Sequence, residues 1–327
     1  MMNVSLCAPS EVLLLLPSHS DLRELRATFI VNCVFNNFLM YTAILLNIVT
    51  MYAMQKTASL PKTLKTLLFS IAISDVGIGL LAQPIYSSLL VKWLQLNHPS
   101  CNNYGVFYIS ANLFLASSFL SVVAVSVDRF LAVHLHLRYQ ELVTHRRVVI
   151  VVIVIWVYNA FVSLMILWEL LGTRDLVGMI NFAFSFIITL VVYIRIYLTM
   201  RRHKNHIQSM QIRNEAQYEE IKNFTVLIKS TIGIFYVHLV FLICYLPYLI
   251  CKVVLQIYGP SIVLKKLYLY SLTFVYLNSS LNPVIYCWKM KHIRHAIIDI
   301  LRRMSWNSNQ PFRINYNRSS SVVHIDK

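Results

Sequence analysis

Residues 62–92 read KTLKTLLFSIAISDVGIGLLAQPIYSSLLVK, and a single side chain in the middle decides how to take them. Between Lys65 and Lys92 the only charged residue is Asp75, about two turns inside apolar sequence. A surface helix of a soluble protein carries charge along one face. A run this apolar suits a bilayer, where a spanning helix needs roughly 20 residues. An acid retained there is expensive, and it points to function.

Six more stretches of the same kind flank it, near 28–54, 102–135, 146–169, 176–200, 222–254 and 264–288. The whole chain is 57% hydrophobic and 13% charged, too few charges to coat a soluble protein of 327 residues. Its net charge of +16 would suggest nucleic acid if the charge lay on one exposed domain. Instead the charge sorts with topology. Seven spans put the termini on opposite sides, and with the amino terminus outside, 22 of the 29 Lys and Arg fall on the cytoplasmic side. That is the positive-inside asymmetry, and it also favours anionic inner-leaflet lipid. No basic domain is left over for nucleic acid.

The expected fold is therefore an all-α membrane protein, a seven-helix bundle over 28–288 with an extracellular tail over 1–27. After it, 289–303 places Ile293, Ile297, Ile298 and Leu301 on one helical face, as suits a helix lying on the membrane surface. The polar residues 304–327 are expected to be a disordered cytoplasmic tail. The third inner segment, 201–222, lacks Gly and Pro and is able to prolong both flanking helices. Val12 to Leu16 is too short for the apolar region of a signal peptide. Asn3-Val4-Ser5 is a sequon on the outer side, either glycosylated or a chance match. Cys33, Cys244, Cys251 and Cys287 fall in or beside spans, where Cys is ordinarily a small buried residue. No HExxH, GxSxG, Walker loop or CxxC pair gives enzyme chemistry a footing, and no enzyme is expected. The absence of internal repeats removes support for a transporter of inverted halves.

The second intramembrane acid is Asp128, in AVSVDRFLAVHL at the inner end of span three. Alone, Asp128-Arg129 reads either as an ion pair at a helix end or as a functional pair. The set of landmarks decides. Asn47, Asp75, Asp128-Arg129-Phe130, Trp156, Cys244-Tyr245-Leu246-Pro247 and Asn282-Pro283-Val284-Ile285-Tyr286 stand in spans one, two, three, four, six and seven. In that order and spacing, over residues 28 to 303, the chain resembles rhodopsin-like (class A) G-protein-coupled receptors of orphan type. A seven-helix transporter or channel would explain the spans but not these motifs.

The resemblance implies a plasma-membrane receptor that passes an extracellular signal to a heterotrimeric G protein, with arrestin and a receptor kinase as further partners. Arg129 would be held by Asp128 at rest and released when span six swings out, with Tyr193 and Tyr286 holding the open form. Pro247 lacks a donor and would kink span six, with Phe241 and Tyr245 as the packing switch above it. Tyr245 stands where the family carries tryptophan. Asp75, Ser118, Asn278, Ser279 and Asn282 resemble the family's sodium set; the alternative is a polar network holding water. No cofactor is implied as obligatory. The inner partner surface would include Leu137 to Tyr139. Ser305, Ser308, Ser319, Ser320 and Ser321 are candidate kinase sites. Leu227 replaces the acid that locks some resting receptors, so ligand-free signalling is expected.

Departures from the pattern narrow the ligand. The position of the family's span-three cysteine is Tyr104, and the link after span four has no cysteine, so the usual bridge is expected to be absent. Cys101 is left to stand free or to pair with Cys7. Ser185 replaces the span-five proline. These absences give a weak resemblance to the melanocortin and lipid-receptor branch. Where aminergic receptors carry their acid the chain has Ala111, and where retinal proteins carry lysine it has Tyr276. Without a primary amine no Schiff base forms. The pocket that the resemblance implies is Tyr86, Tyr108, Asn112, Asn181, Tyr248, Lys252 and Tyr276, for a small neutral or anionic molecule, a lipid or a short peptide. Each of these aromatics is alternatively plain helix packing, and Lys252 alternatively snorkels to headgroups.

Overall fold

A computed structural model describes residues 19–308 apart from 59, 98, 136–137, 166–170 and 210–214. Asn3, Cys7, Leu137, Ser319, Ser320 and Ser321 lie outside that set, as do the side chains of Leu227, Leu301, Ser305 and Ser308. The described residues form helices and short connections, with no strand among them. In order they are α1 (His19–Lys56), α2 (Lys62–Gly77), a π-helical turn (Ile78–Ala82), α3 (Gln83–Leu94), α4 (Cys101–Leu135) and α5 (Tyr139–Leu142). Then come α6 (His145–Leu164), α7 (Leu171–Ser209), α8 (Glu215–Tyr258), α9 (Ile262–Lys289) and α10 (Lys291–Ser308). α2, the π turn and α3 make one continuous span.

Six of these helices are long and apolar enough to cross a membrane by length and composition. The seventh is α9, 28 residues long, which packs between α1 and α8. It is less apolar because Asn278, Ser279, Ser280 and Asn282 face inward, where all four are buried. On α1 the outward face is Val34, Phe38, Tyr41 and Leu45, each above three-fifths exposed, and on α6 it is Ile150, Val154, Val157 and Phe161. Spacing of four, three and four puts each set on one side of its helix. Stripes of that size are a liability in water and are solvated by lipid tails in a bilayer. The chain is a multi-pass membrane protein.

α4 is the central helix and packs on α2, α6, α7 and α8. Ser70 of α2 clasps it to its neighbours: the Ser70 and Ser121 hydroxyls are 2.8 Å apart, and Trp156 Nε1 of α6 donates to Ser70 Oγ at 3.0 Å. Such bonds are worth making where no water competes. Two apolar clusters fill the bundle. The one at the Cys101 end holds Phe29, Tyr86, Trp93, Tyr108, Tyr268 and Tyr276. The one at the Arg129 end holds Leu68, Phe119, Val122, Phe241 and Tyr286. On α2, Ile71 belongs to the second and Ile78 to the first, so Asp75 lies where they meet.

Two expectations shift and one is met. Helix α1 already runs at His19, inside the stretch expected as tail, because Leu25 and Phe29 are buried and Asp21 pairs with Lys265 Nζ at 2.8 Å. The surface helix extends to Ser308, and of its apolar stripe Ile293 is buried and Ile297 packs on the core while Ile298 faces out. The long polar segment 201–222 is helical from both sides, to Ser209 and from Glu215, as its composition allowed. Ser261 caps α9, accepting from Leu264 N at 3.3 Å, and Gly259 closes α8 at φ 76°, a left-handed turn that glycine adopts without strain.

Candidate functional site

At one end of α4, Asp128 and Arg129 are buried. Arg129 Nε donates to Asp128 Oδ2 at 2.9 Å, and a second guanidinium nitrogen reaches the same oxygen. The other oxygen, Oδ1, accepts from the Tyr139 hydroxyl at 2.6 Å. Tyr139 in turn lies 3.1 Å from Thr63 Oγ1 of α2. Burial and the Asp128 carboxylate push the Tyr139 phenol up to about 12, so it keeps its proton and remains a donor. This clasp joins three helices, and sequence reading did not find it. The signal was only Tyr139 in a polar loop. Phe130 stacks on His134, 5.3 Å between centroids.

One turn before Arg129, the Ser126 hydroxyl lies 3.0 Å from that of Tyr193 on α7. The Tyr193 ring meets Phe235 of α8 edge-on at 4.8 Å. Tyr286 is buried on α9, and its hydroxyl has no hydrogen-bond partner among the described residues. The two expected tyrosines are thus not bonded to each other here. Phe241 and Tyr245, four residues apart on α8, stack at 4.1 Å, and Phe119 of α4 stacks on Phe241 at 4.9 Å. Phe182 of α7 extends the pile at 5.2 Å. Pro247 lies inside α8 two residues beyond, where it removes one backbone hydrogen bond.

Asp75 is fully buried. Asn282 Nδ2 donates to Asp75 Oδ2 at 2.8 Å, and Ser118 Oγ donates to Oδ1 at 3.4 Å. Ser279 stands beside the carboxylate. Asn278 Oδ1 and Asn282 Oδ1 are buried acceptors with no donor among the described residues. Asn47 closes the neighbourhood, donating to Ser279 O at 2.9 Å across the α1 and α9 contact. The structure therefore brings Asp75, Ser118, Ser279 and Asn282 together, and it leaves oxygen lone pairs over.

Toward the Cys101 end a cavity of about 190 Å³ opens among α4, α6, α7, α8 and α9. Six of the seven expected pocket residues line it: Tyr108, Asn112, Asn181, Tyr248, Lys252 and Tyr276. Tyr86 does not. Its ring lies behind the wall, 5.6 Å from Tyr276 and 5.8 Å from Phe107. Sequence reading missed Asn159 and Ser163, which bring the cavity over to α6. Asn159, a polar residue within an apolar span, was the available signal; its amide reaches Ser117 Oγ at 3.3 Å. Asn181 donates to the Tyr158 hydroxyl at 2.7 Å, and the Tyr268 hydroxyl meets that of Tyr248 at 3.5 Å. Tyr104 fills the family's cysteine position by accepting from Trp93 Nε1 at 3.1 Å. Cys101 is disulfide-bonded, while Cys33, Cys244, Cys251 and Cys287 are free. The sixth cysteine of the sequence is Cys7.

Known proteins bear on this geometry directly. The dog adenosine receptor A2a is 25% identical over 308 residues, covering 83% of this chain and 72% of that receptor. The human histamine H2 receptor is 28% identical over 267 residues, covering 73% and 70%, and the rat protein is 28% identical over 276 residues. The family model of the seven-transmembrane receptors of the rhodopsin family matches residues 46–175 and 171–286, from the end of α1 to Tyr286. The motifs, the helix order and that match agree, and the chain belongs to the rhodopsin family of seven-transmembrane receptors.

Proposed function

We propose that this receptor sits in the plasma membrane with its amino terminus outside and passes the binding of a small external ligand to a heterotrimeric G protein inside. The observation that carries the reading is the clasp of Asp128 by both Arg129 and Tyr139, at the end of the bundle opposite the cavity. Arg129 is the group released to the G protein, and α8 is the moving element, weakened at Pro247 and levered through the Phe119, Phe241 and Tyr245 stack. A two-state element of this kind is what a ligand must bias. The relatives are receptors for adenosine and histamine by name. A histamine-like ammonium is disfavoured here, because no Asp or Glu is among the described residues lining the cavity.

A sodium ion fits between α2, α4 and α9. The leftover Asn282 oxygen beside the Asp75 carboxylate, and that of Asn278 one turn before it on α9, are hard donors suited to a hard cation. Asp75, Ser118, Asn278, Ser279 and Asn282 would hold it, and it would supply charge that favours the closed bundle. Arrestin and a receptor kinase are proposed to act on the carboxy-terminal serines, anionic lipid on the basic face of α10, and a glycan at Asn3. The deciding experiment measures G-protein activation in cells without added ligand, beside Arg129→Ala. A basal signal lost in the variant is the expected result. An undiminished signal in Arg129→Ala at equal surface expression would sink the assignment.

A further inference from the structure

The clasp at Asp128 ties α4 to α5 and α2, and both hydrogen bonds from Arg129 stay on its own helix. None of these bonds reaches α8. A hold on the inner half of α8 comes instead from α9. The Lys289 ammonium lies 4.0 Å from the centre of the Tyr236 ring of α8 and 3.5 Å from that of its neighbour Trp288. The two rings are 5.4 Å apart and inclined at 54°, so the cation sits in the wedge between them. A lysine in the last turn of a helix is ordinarily explained by the helix dipole, with its ammonium in water. Here the stem turns across to α8 instead, and no carboxylate pairs with the ammonium among the described residues. Gly233, one turn before Tyr236, lets the two helices close: a Cβ added there would lie 3.1 Å from Lys289 Cβ. Tyr236 stands eleven residues before Pro247, about 16 Å along the helix. On its other side α9 is anchored to α1, through Thr42 with Ser280 and Asn47 with Ser279 O. A swing of α8 about Pro247 therefore has to draw Tyr236 off a cation that stays behind.

We propose that Lys289 is a latch, whose ammonium in the wedge of Tyr236 and Trp288 ties the inner half of α8 to α9 and must be released before α8 moves. This rests on the reading of α8 as the moving element. Arg129 is still on Asp128 in this structure, which marks the latched form as the resting one. The contact needs a cation and the face of a ring, and it needs no hydroxyl. Arginine and phenylalanine therefore serve in these two positions, whereas methionine and leucine do not.

The test measures G-protein activation by the full-length receptor in cells, without added ligand and at equal surface expression. Lys289→Met and Tyr236→Leu should each raise the signal by about threefold to tenfold, within the span of one cation–π contact. Lys289→Arg and Tyr236→Phe keep the cation and the ring face, and should stay within about twofold of the native receptor. Combining Lys289→Met with Tyr236→Leu should do no more than either change alone, because both remove one contact. A signal unchanged or lowered by Lys289→Met overturns the proposal. So does a signal raised by Tyr236→Phe as far as by Tyr236→Leu, or a double variant in which the two effects multiply. A second variant pair, Gly233→Cys with Lys289→Cys, sets two Cβ atoms near the roughly 3.5–4.5 Å of a disulfide. Oxidised, this receptor should fall silent; reduced, it lacks the lysine and should signal above the native level. A pair that does not cross-link, or a cross-linked receptor as active as its reduced form, also overturns the latch. If the Lys289 variants change nothing while Arg129→Ala still abolishes the basal signal, the latch alone fails. A basal signal indifferent to Arg129→Ala removes the coupling reading on which it rests.

Discussion

Tyr139 donates to the one oxygen of Asp128 that Arg129 leaves untouched. The carboxylate is thus held from two directions, by its own helix and by the short α5 helix beyond residues 136–137. Deleting the second hold should loosen the first. Tyr139→Phe is expected to raise ligand-free G-protein activation by about threefold or more, since hydrogen bonds to charged groups are worth more than neutral ones. Unchanged basal activity at equal surface expression would mean that the loop contact plays no part in the resting state. Because the phenol stays protonated up to about 12, the difference between Tyr139 and Phe should be flat across pH 6 to 9.

Sodium should oppose activation through Asp75. Replacing potassium or choline with sodium in membrane preparations is expected to lower basal nucleotide exchange in the native receptor. Asp75→Asn removes the charge but can retain a side-chain hydrogen bond to Asn282, so it should abolish the sodium effect. A sodium response that survives in Asp75→Asn places the cation elsewhere.

Gly77 allows α2 and α4 to meet. A Cβ added there would lie against the Phe114 ring, with Cζ only 2.7 Å away, and Phe114 is itself packed edge-on to Trp156 at 6.0 Å. Gly77→Ala should therefore overpack the contact at a cost of about 1–3 kcal/mol and reduce surface expression. Adding Phe114→Leu should restore expression. If it does not, the defect lies in the helix backbone and not in the ring.

Cys101 is disulfide-bonded and four other cysteines are free. Non-reducing peptide mapping is expected to find the Cys101 peptide joined to the one containing Cys7. Cys101→Ser should destabilise the receptor by about 2–4 kcal/mol, as usual for a bridge closing a long loop, and a reductant should do the same to the native chain. Recovery of a free Cys7 thiol from native receptor would refute the pairing.

Much of this was legible in the sequence because bilayers leave few solutions. Seven apolar runs had to be helices, and Asp75, Asp128, Arg129 and Pro247 were conspicuous as the wrong residue types for lipid. What stayed hidden depends on rotation about helix axes and on loop paths. Tyr86 was expected in the pocket wall and lies behind it. Asn159 and Ser163 were passed over because α6 looks uniformly apolar, with its inward face only a few residues wide. Tyr139 could not be paired with Asp128 because the path of the intervening loop has no periodic signal. The unusually early start of α1 was masked by charged residues, Asp21 and Glu24, that meet Lys265 and Lys266 of α9 at 2.8 and 3.7 Å.

The π turn at Ile78–Ala82 carries one consequence further. It inserts about one extra residue into a turn, which rotates everything beyond it by roughly 100° relative to an unbroken helix. Asp75 before it and Gln83 and Tyr86 after it are all buried. Which side chains of α3 face the bundle is therefore set by the residue count through this turn as well as by their chemistry. Regularising the turn at constant length would swing Tyr86 roughly 100° away from Tyr276, whereas removing one residue between Ile78 and Ala82 would regularise it with Tyr86 still in place. The winding of that one turn, and no side chain of the cavity itself, thus sets which residue of the span stands behind Tyr276.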